Sequence, residues 1–313
     1  MKSKTIKKVI GDKINKWIST IEDESLRVAC KRDFIVTGGS IASMLLREDV
    51  NDFDVYFKTK DTVEKLSNYY VNKINKEYIN NISNSHISVV NSSNIPEKSY
   101  ESSVEVSQWK QFKEGLIRSG EERIKVYIPH IGYWRKSDER HSKNIEEPKE
   151  DSFEPIYLTE NAITLSDDVQ LVIRFFGDVE KIHENYDFAH ATSYFHYDGG
   201  YKLVLRNKSM EALLTKELIY IGSKYPLTSI IRTKKFVKRG FSISAGTYLK
   251  ILWQVAELDL KDPIVLQEQL MGVDVAYFSL LIEVLTNVDP SKLTYNFIST
   301  IIDKVFNEYN EEE

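Results

Sequence analysis

Two aspartates, Asp52 and Asp54, stand two residues apart in Asn51-Asp52-Phe53-Asp54-Val55-Tyr56-Phe57. In an extended strand, residues i and i+2 leave the same face about 7 Å apart, so both carboxylates can converge on hard cations that take oxygen ligands. Pairs of such ions, about 4 Å apart, serve phosphoryl transfer by activating the attacking oxygen and steadying the leaving phosphate. Taken alone, Asp-Phe-Asp reads more simply as a turn cap followed by an exposed strand residue. Shortly upstream lies Gly38-Gly39-Ser40. A glycine turn without Cβ atoms lets backbone N–H groups approach a phosphate, and a helix starting at Ser40 adds a hydroxyl and the positive end of its dipole. A Gly-Gly before a helix is, by itself, more often just a turn.

The elements that would position these groups follow from periodicity. Ile6, Ile10, Ile14, Trp17, Ile18 and Ile21 predict one or two amphipathic helices over residues 6–32. Phe34-Ile35-Val36-Thr37 predicts a short buried strand, Ser40 an N-cap for a helix to about Glu48, and residues 53–57 a second strand. Residues 62–82 read as helix, 86–90 and 124–128 as strands, and 91–123 give no clear pattern. The charged, apolar-poor stretch from Arg135 to Pro155 predicts a solvated loop or linker. Strands are expected at 162–165 and 169–176, a short helix at 178–184, and a hairpin from Tyr186–His196 to Tyr201–Leu205 across Gly199-Gly200. Beyond Lys208, helical periodicity runs through 209–222, 226–239, 243–259, 263–270, 274–286 and 294–309.

The ordered combination of strand, Gly38-Gly39-Ser40, helix and Asp52-Phe53-Asp54 on a strand resembles the active-site signature of the DNA polymerase beta superfamily of nucleotidyltransferases. That resemblance implies that Gly38, Gly39 and Ser40 hold the triphosphate, and that Asp52 and Asp54 bind Mg2+ or Mn2+. It also implies a third carboxylate on a later strand. Asp187, in Tyr186-Asp187-Phe188-Ala189-His190, is the candidate, because a carboxylate among apolar neighbours must be paired or metal-bound. Asp178 and Glu180 read as helix-start acids, and Asp167-Asp168 as a turn.

A second stretch, Tyr225-Pro226-Leu227, Ile231-Arg232, Lys235-Phe236 and Arg239-Gly240-Phe241, is similar to the neck of the CCA-adding and bacterial poly(A) polymerase branch. Tyr225 stands where that branch has an acidic residue, and Lys234 and Lys235 replace its usual arginine. No acidic residue occurs between Glu217 and Glu257, whereas Lys224, Arg232, Lys234, Lys235, Lys238, Arg239 and Lys250 all fall there. Such a face can neutralise a polyanion, or it is simply a solvated basic helix. Lys216 and Arg232 are assigned to the nucleotide, and Lys234, Lys235, Lys238 and Arg239 to a nucleic-acid acceptor. Arg174, inside an apolar strand, must pair with a carboxylate or phosphate. His183, His190 and His196 have no zinc-site spacing and read as structural. Tyr194, Phe195, Tyr197 and Tyr201 either stack a base or pack a hairpin.

Composition narrows the rest. The 313 residues allow two domains, and a net charge of -5 excludes a blanket electrostatic grip on nucleic acid. A single cysteine, Cys30, excludes a disulfide framework and a Cys-type zinc site. The N-terminus does not read as a secretory signal, no stretch reaches membrane-spanning length, and a cytoplasmic protein (host cytoplasm if viral) is expected. The expected architecture is α+β: a nucleotidyltransferase palm-like mixed sheet over residues 1–207, with an insert at about 60–160 including the charged loop 135–155, then an all-helical neck and body over 208–313. A cleft between the two should hold the nucleotide. The expected activity is transfer of an NMP from an NTP such as ATP to a hydroxyl, with a nucleic-acid 3′ end, RNA first, as acceptor. The alternatives are nucleotidylation of a protein or small molecule, and a catalytically retired viral binding or structural protein.

Overall fold

A computed structural model describes residues 1–78, 87–96, 103–118, 120–128, 133–134, 149–270 and parts of 294–303. The helices expected at 274–286 and most of 294–309, and most of the charged loop, lie outside these residues. The chain forms two compact units: Met1–His183 with Ala191–Ser209, and Glu184–His190 with Met210–Glu313. The architecture is α+β.

The first unit is built on an eight-stranded mixed sheet. Its strands are β1 (Phe34–Thr37), β2 (Phe53–Phe57), β5 (Tyr133–Trp134), β6 (Pro155–Leu158), β7 (Ala162–Leu165), β8 (Val169–Phe176), β9 (Tyr194–Tyr197) and β10 (Tyr201–Val204). Their order is β10-β9-β1-β2-β8-β7-β6-β5. The β2–β8 pair is parallel, and the other neighbours are antiparallel. β3 (Ser88–Asn91) and β4 (Ile124–Tyr127) make a separate antiparallel pair. The helices are α1 (Ser3–Ser19), α2 (Glu24–Asp33), α3 (Gly39–Leu46), α4 (Lys60–Tyr78), α5 (Ser103–Arg118) and α6 (Val179–His183).

One face of the sheet is dry because side chains alternate. Val36 on β1 is in register with Phe195 on β9 and Val55 on β2, and Val55 with Leu171 on β8. All four are fully buried. Ile6, Ile10, Ile14 and Trp17 recur at helical spacing on α1 and join the same core. Each such side chain contributes about 1.5–3 kcal/mol relative to exposure. The fit is close: a Cβ added at Gly11 of α1 would meet the Tyr201 ring at 3.4 Å. Trp17 satisfies its indole N–H on the Tyr70 hydroxyl at 3.0 Å. A smaller cluster of Val90, Trp109, Phe112, Leu116 and Tyr127 joins α5 to β3 and β4.

Expectations change at several places. The patternless stretch 91–123 contains α5. Residues 149–155 are not all solvated loop, since Phe153 is 1% exposed in the main core and Pro155 opens β6. The hairpin strand expected from Tyr186 begins only at Tyr194, and a 3-10 turn (Ala189–Ala191) precedes it.

The second unit is mostly helical: most of α7 (Asn207–Thr215), then α8 (Pro226–Lys238), α9 (Ala245–Ala256) and α10 (Pro263–Leu270). The helix expected over 209–222 stops at Thr215, because residues 217–221 run extended. Phe188 bridges Tyr220, and Glu217 bridges Ser242. Pro226 opens α8 at a position where its missing N–H costs nothing. At the other end, Gly240 (φ 82°) donates to Val237 O and Phe241 donates to Phe236 O, a Schellman stop. The Phe236 and Phe241 rings, 6.3 Å apart, supply its apolar contact. No helix among the described residues is long and apolar enough to cross a membrane.

Candidate active site

β1 ends at Thr37, and the chain turns sharply at Gly38, whose φ of 101° suits only glycine. The Gly38 N–H donates to Ala191 O at 3.1 Å, which fixes the turn. α3 starts at Gly39, where an added Cβ would meet open space. Ser40 is 2% exposed, and its Oγ is a buried polar atom without a hydrogen-bond partner. A buried hydroxyl left unsatisfied costs about 1–3 kcal/mol, so a donor stranded in the first turn of a helix calls for an acceptor. Gly38, not Ser40 as expected, is the N-cap of α3, and Ser40 lies inside the first turn with an orphan hydroxyl.

Asp52 lies just before β2 and Asp54 within it, both half-buried on the sheet face opposite Phe53, Val55 and Phe57. Register places the neighbours. Ile35 pairs with Tyr56 and Val36 with Val55, so the next step sets Thr37 beside Asp54. Asp54 pairs with Gln170 on β8, and Thr37 with Tyr194 on β9. Across the polar face the row is thus Tyr194, Thr37, Asp54, Gln170. The Phe53 N–H donates to Asp168 O at 2.7 Å, which brings the Asp167-Asp168 turn beside Asp52. Both turn residues have positive φ, as a tight hairpin between β7 and β8 requires.

α6 covers part of this face. Its N-terminus is capped by Asp178, which accepts from Lys181 N. His183 at its end meets Thr37 Oγ1 through Nε2 at 2.8 Å, and that hydroxyl also reaches Ser193 O at 3.1 Å. Thr37 has one proton, so donation to Ser193 O leaves it to accept from His183 Nε2–H. Burial pushes the His183 pKa down to about 4, and the Arg206 charge adds to the effect. The ring is neutral at ordinary pH and locks Thr37, as a structural histidine does. Arg206 lies 5.5 Å over the Tyr194 ring and is forked by Glu180 at 2.5 and 3.0 Å.

Among the described residues no group of three or more His, Cys, Asp or Glu side chains is arranged to hold a metal. Two half-buried carboxylates fit magnesium in the manner of phosphoryl-transfer sites, where one or two carboxylates are completed by water and substrate phosphates.

Asp187 is not on a sheet strand. It belongs to the second unit, between α6 and the 3-10 turn, where its backbone O accepts from Ile221 N at 2.9 Å. The extended segment 217–221 draws residues 187–189 into this short ladder, which is why the expected strand is absent. The carboxylate is 6% exposed, accepts from Phe188 N at 3.0 Å and pairs with Arg232 at 3.2 Å. Arg232, expected at the nucleotide, is thus bound to the residue expected at the metal, and it also lies 5.8 Å over Phe236. Lys216 is not in a helix but just past the end of α7, with φ 54°. Its Nζ sits 4.7 Å over Phe241 and donates to Arg239 O at 3.4 Å. Lys234, Lys235 and Lys238 are exposed near the C-terminal end of α8, and Arg239 caps it half-buried. Cations at that end complement the helix dipole whatever else they bind.

His190 is 2% exposed among Phe236, Phe241 and Phe188. Burial, then the charges of Arg232, Arg239 and Lys216, push its pKa down to about 3. The expected aromatic set divides: Phe195 and Tyr201 pack with Phe34, whereas Tyr194 faces the polar side. Arg174 is 4% exposed with its guanidinium 5.1 Å over Phe175. Thr37, His183, Tyr194 and Arg206 carried no site expectation, apart from stacking for Tyr194. The pairing of β1 with β9 brings Thr37 to Tyr194, and side-chain contacts from α6 and from the segment after β10 add His183 and Arg206; local sequence carries no signal for either.

Comparison with known proteins gives three findings. Residues 8–216, two thirds of the chain, match the family described as Gabija anti-defense 2 family protein. No curated protein matches the chain significantly. Among solved structures, the Thermotoga maritima CCA-adding enzyme complexed with tRNA is similar at 12% identity and a TM-score of 0.36. The alignment covers 90% of this chain and 56% of that one, so the chain spans little over half of that enzyme's length.

Proposed function

The chain belongs to the Gabija anti-defense 2 family, and from that premise we propose that it counters the defence as a metal-dependent nucleotidyltransferase. The observation that carries the reading is the polar face of the first unit. There the Gly38-Gly39-Ser40 turn, with its orphan hydroxyl, ends the strand that sets Thr37 beside Asp54. Ser40 Oγ and the first N–H groups of α3 bind triphosphate oxygens. Asp52 and Asp54 would hold Mg2+ or Mn2+, which would supply charge neutralisation at the phosphates and Lewis acidity at the acceptor hydroxyl. Thr37, clamped by His183, keeps the turn and Asp54 in register. The NMP passes to a hydroxyl, and pyrophosphate leaves. Asp187 is assigned to acceptor activation, with Arg232 and Lys216 as phosphate partners.

The exposed Lys234, Lys235 and Lys238 on α8, with Arg239, favour a nucleic-acid 3′ end as acceptor. The family's anti-defense description favours a second reading, in which the hydroxyl belongs to a protein of the defence. One experiment separates them: the protein, each α-labelled NTP and magnesium are incubated with RNA, DNA and a lysate bearing the defence. Label on a 3′ end supports the first reading and label on a polypeptide the second. No label in any arm, with the same outcome for Asp52→Asn, would remove nucleotidyl transfer altogether.

A further inference from the structure

We propose that Arg206 binds the terminal phosphates of the triphosphate, and that the Glu180 carboxylate holds that place until the nucleotide arrives. The proposal rests on the nucleotidyltransferase reading and adds a residue that the signature motifs do not contain. Tyr194 lies two strands from Asp54 along one row of the polar face, through Thr37. Strands are about 4.8 Å apart, so the Tyr194 position is about 10 Å from Asp54, on the flank where the Gly38 turn is tied to Ala191. A triphosphate anchored at Asp54 and laid over that turn runs toward Tyr194. The Arg206 guanidinium lies 5.5 Å from that ring's centroid, a cation–π contact that uses none of its N–H donors and leaves them for a forked acceptor.

That edge is engaged by two parallel hydrogen bonds from NH1 and NH2 to Glu180, at 3.0 and 2.5 Å. Carboxylate and phosphate present the same pair of oxygens to such a fork. Glu180 is 71% exposed, so it can turn away into water at small cost, whereas Arg206, 28% exposed and held against Tyr194, stays. The acid thus preorganises the cation and yields it to a more highly charged ligand.

The test uses the full chain and inorganic tripolyphosphate, titrated calorimetrically without magnesium so that Asp52 and Asp54 do not contribute through metal. Arg206→Ala should weaken tripolyphosphate binding about tenfold or more, as loss of a charge-assisted fork implies. Glu180→Gln, which leaves Arg206 and the fold in place, should tighten binding several-fold. AMP, lacking the terminal phosphates, should bind alike to all three proteins. Unchanged tripolyphosphate affinity in Arg206→Ala would overturn the proposal, as would weaker binding in Glu180→Gln or equal losses for AMP and tripolyphosphate. Transfer of labelled NMP is measured on the same preparations. Arg206-dependent binding without any transfer would remove the enzymatic reading and leave the anion site standing.

Discussion

The Asp187–Arg232 pair decides how much of the second unit's chemistry is structural. At 3.2 Å and an effective dielectric constant of 20, the gross attraction is about 5 kcal/mol. Arg232 is 42% exposed, so water screens much of this, while Asp187 at 6% is nearly dry. Arg232→Gln strands a buried carboxylate on one remaining N–H, from Phe188, and should cost about 1.5–3 kcal/mol. Asp187→Asn keeps the shape and removes the charge, and should cost about 1 kcal/mol. The double variant should then lose about 1–2 kcal/mol less than the sum of the singles. A global melt would blend two units, so native-state hydrogen exchange is the better assay. The amides of Ala189 and Ile221, which donate to Ile219 O and Asp187 O, report directly on this ladder. Additivity within about 0.5 kcal/mol would refute the pair as a structural element. The same variants divide catalysis: if Asp187 activates the acceptor, Asp187→Asn abolishes transfer at unchanged nucleotide affinity, and surviving transfer would remove it from the reaction.

Asp52→Asn and Asp54→Asn should each abolish transfer and leave thermal unfolding unchanged, because both side chains are half-buried on the polar face and outside the dry core; full activity in either would sink the metal assignment. Neutralising Lys234 and Lys238 should flatten the salt dependence of acceptor binding by roughly 0.7 of a log unit for each single-strand phosphate that is no longer neutralised. An unchanged slope, read by fluorescence anisotropy, would count against nucleic acid. Asp33 is buried, and that burial pushes its carboxyl up, but hydrogen bonds from Arg32, Thr62 and Thr59 outweigh it and hold the pKa at about 2. Its folded pKa is depressed, so its stabilisation is present above about pH 4 and lost as pH falls toward 2. Asp33→Asn should therefore flatten the acid limb of a stability profile, removing about 2 kcal/mol of its rise. His190 works at higher pH: neutral when folded and with its pKa at about 3, it destabilises the fold as pH falls below its ordinary 6.5. His190→Phe should lessen acid sensitivity between pH 6.5 and 4 in native-state hydrogen exchange of the second unit, and an unaltered profile would contradict that burial.

Much of the local structure is legible in the chain itself. The i, i+4 isoleucines of α1, the run Phe34–Thr37, the Gly38-Gly39-Ser40 break and the alternation of Asp52 and Asp54 with Phe53 and Val55 each encode a period and a face within a few residues. Pro226 and Gly240 mark the ends of α8 through backbone chemistry alone. The candidate metal and phosphate groups are therefore visible before any fold is known. Partnership is not, because it depends on which distant strands and segments pair. Only the register of β1 with β9 puts Tyr194 beside Thr37, only the placement of α6 brings His183 to the Thr37 hydroxyl, and only the ladder of 187–189 with 217–221 keeps Asp187 off the sheet and gives it to Arg232. Phe153 is buried within a stretch whose composition reads as solvated, because one apolar side chain needs only one place in a core. Sequence determined which groups can do chemistry and which way they face, since these are properties of adjacent backbone. Tertiary structure decided which charges meet, since a salt bridge or a stacked guanidinium is set by contacts between residues far apart in the chain.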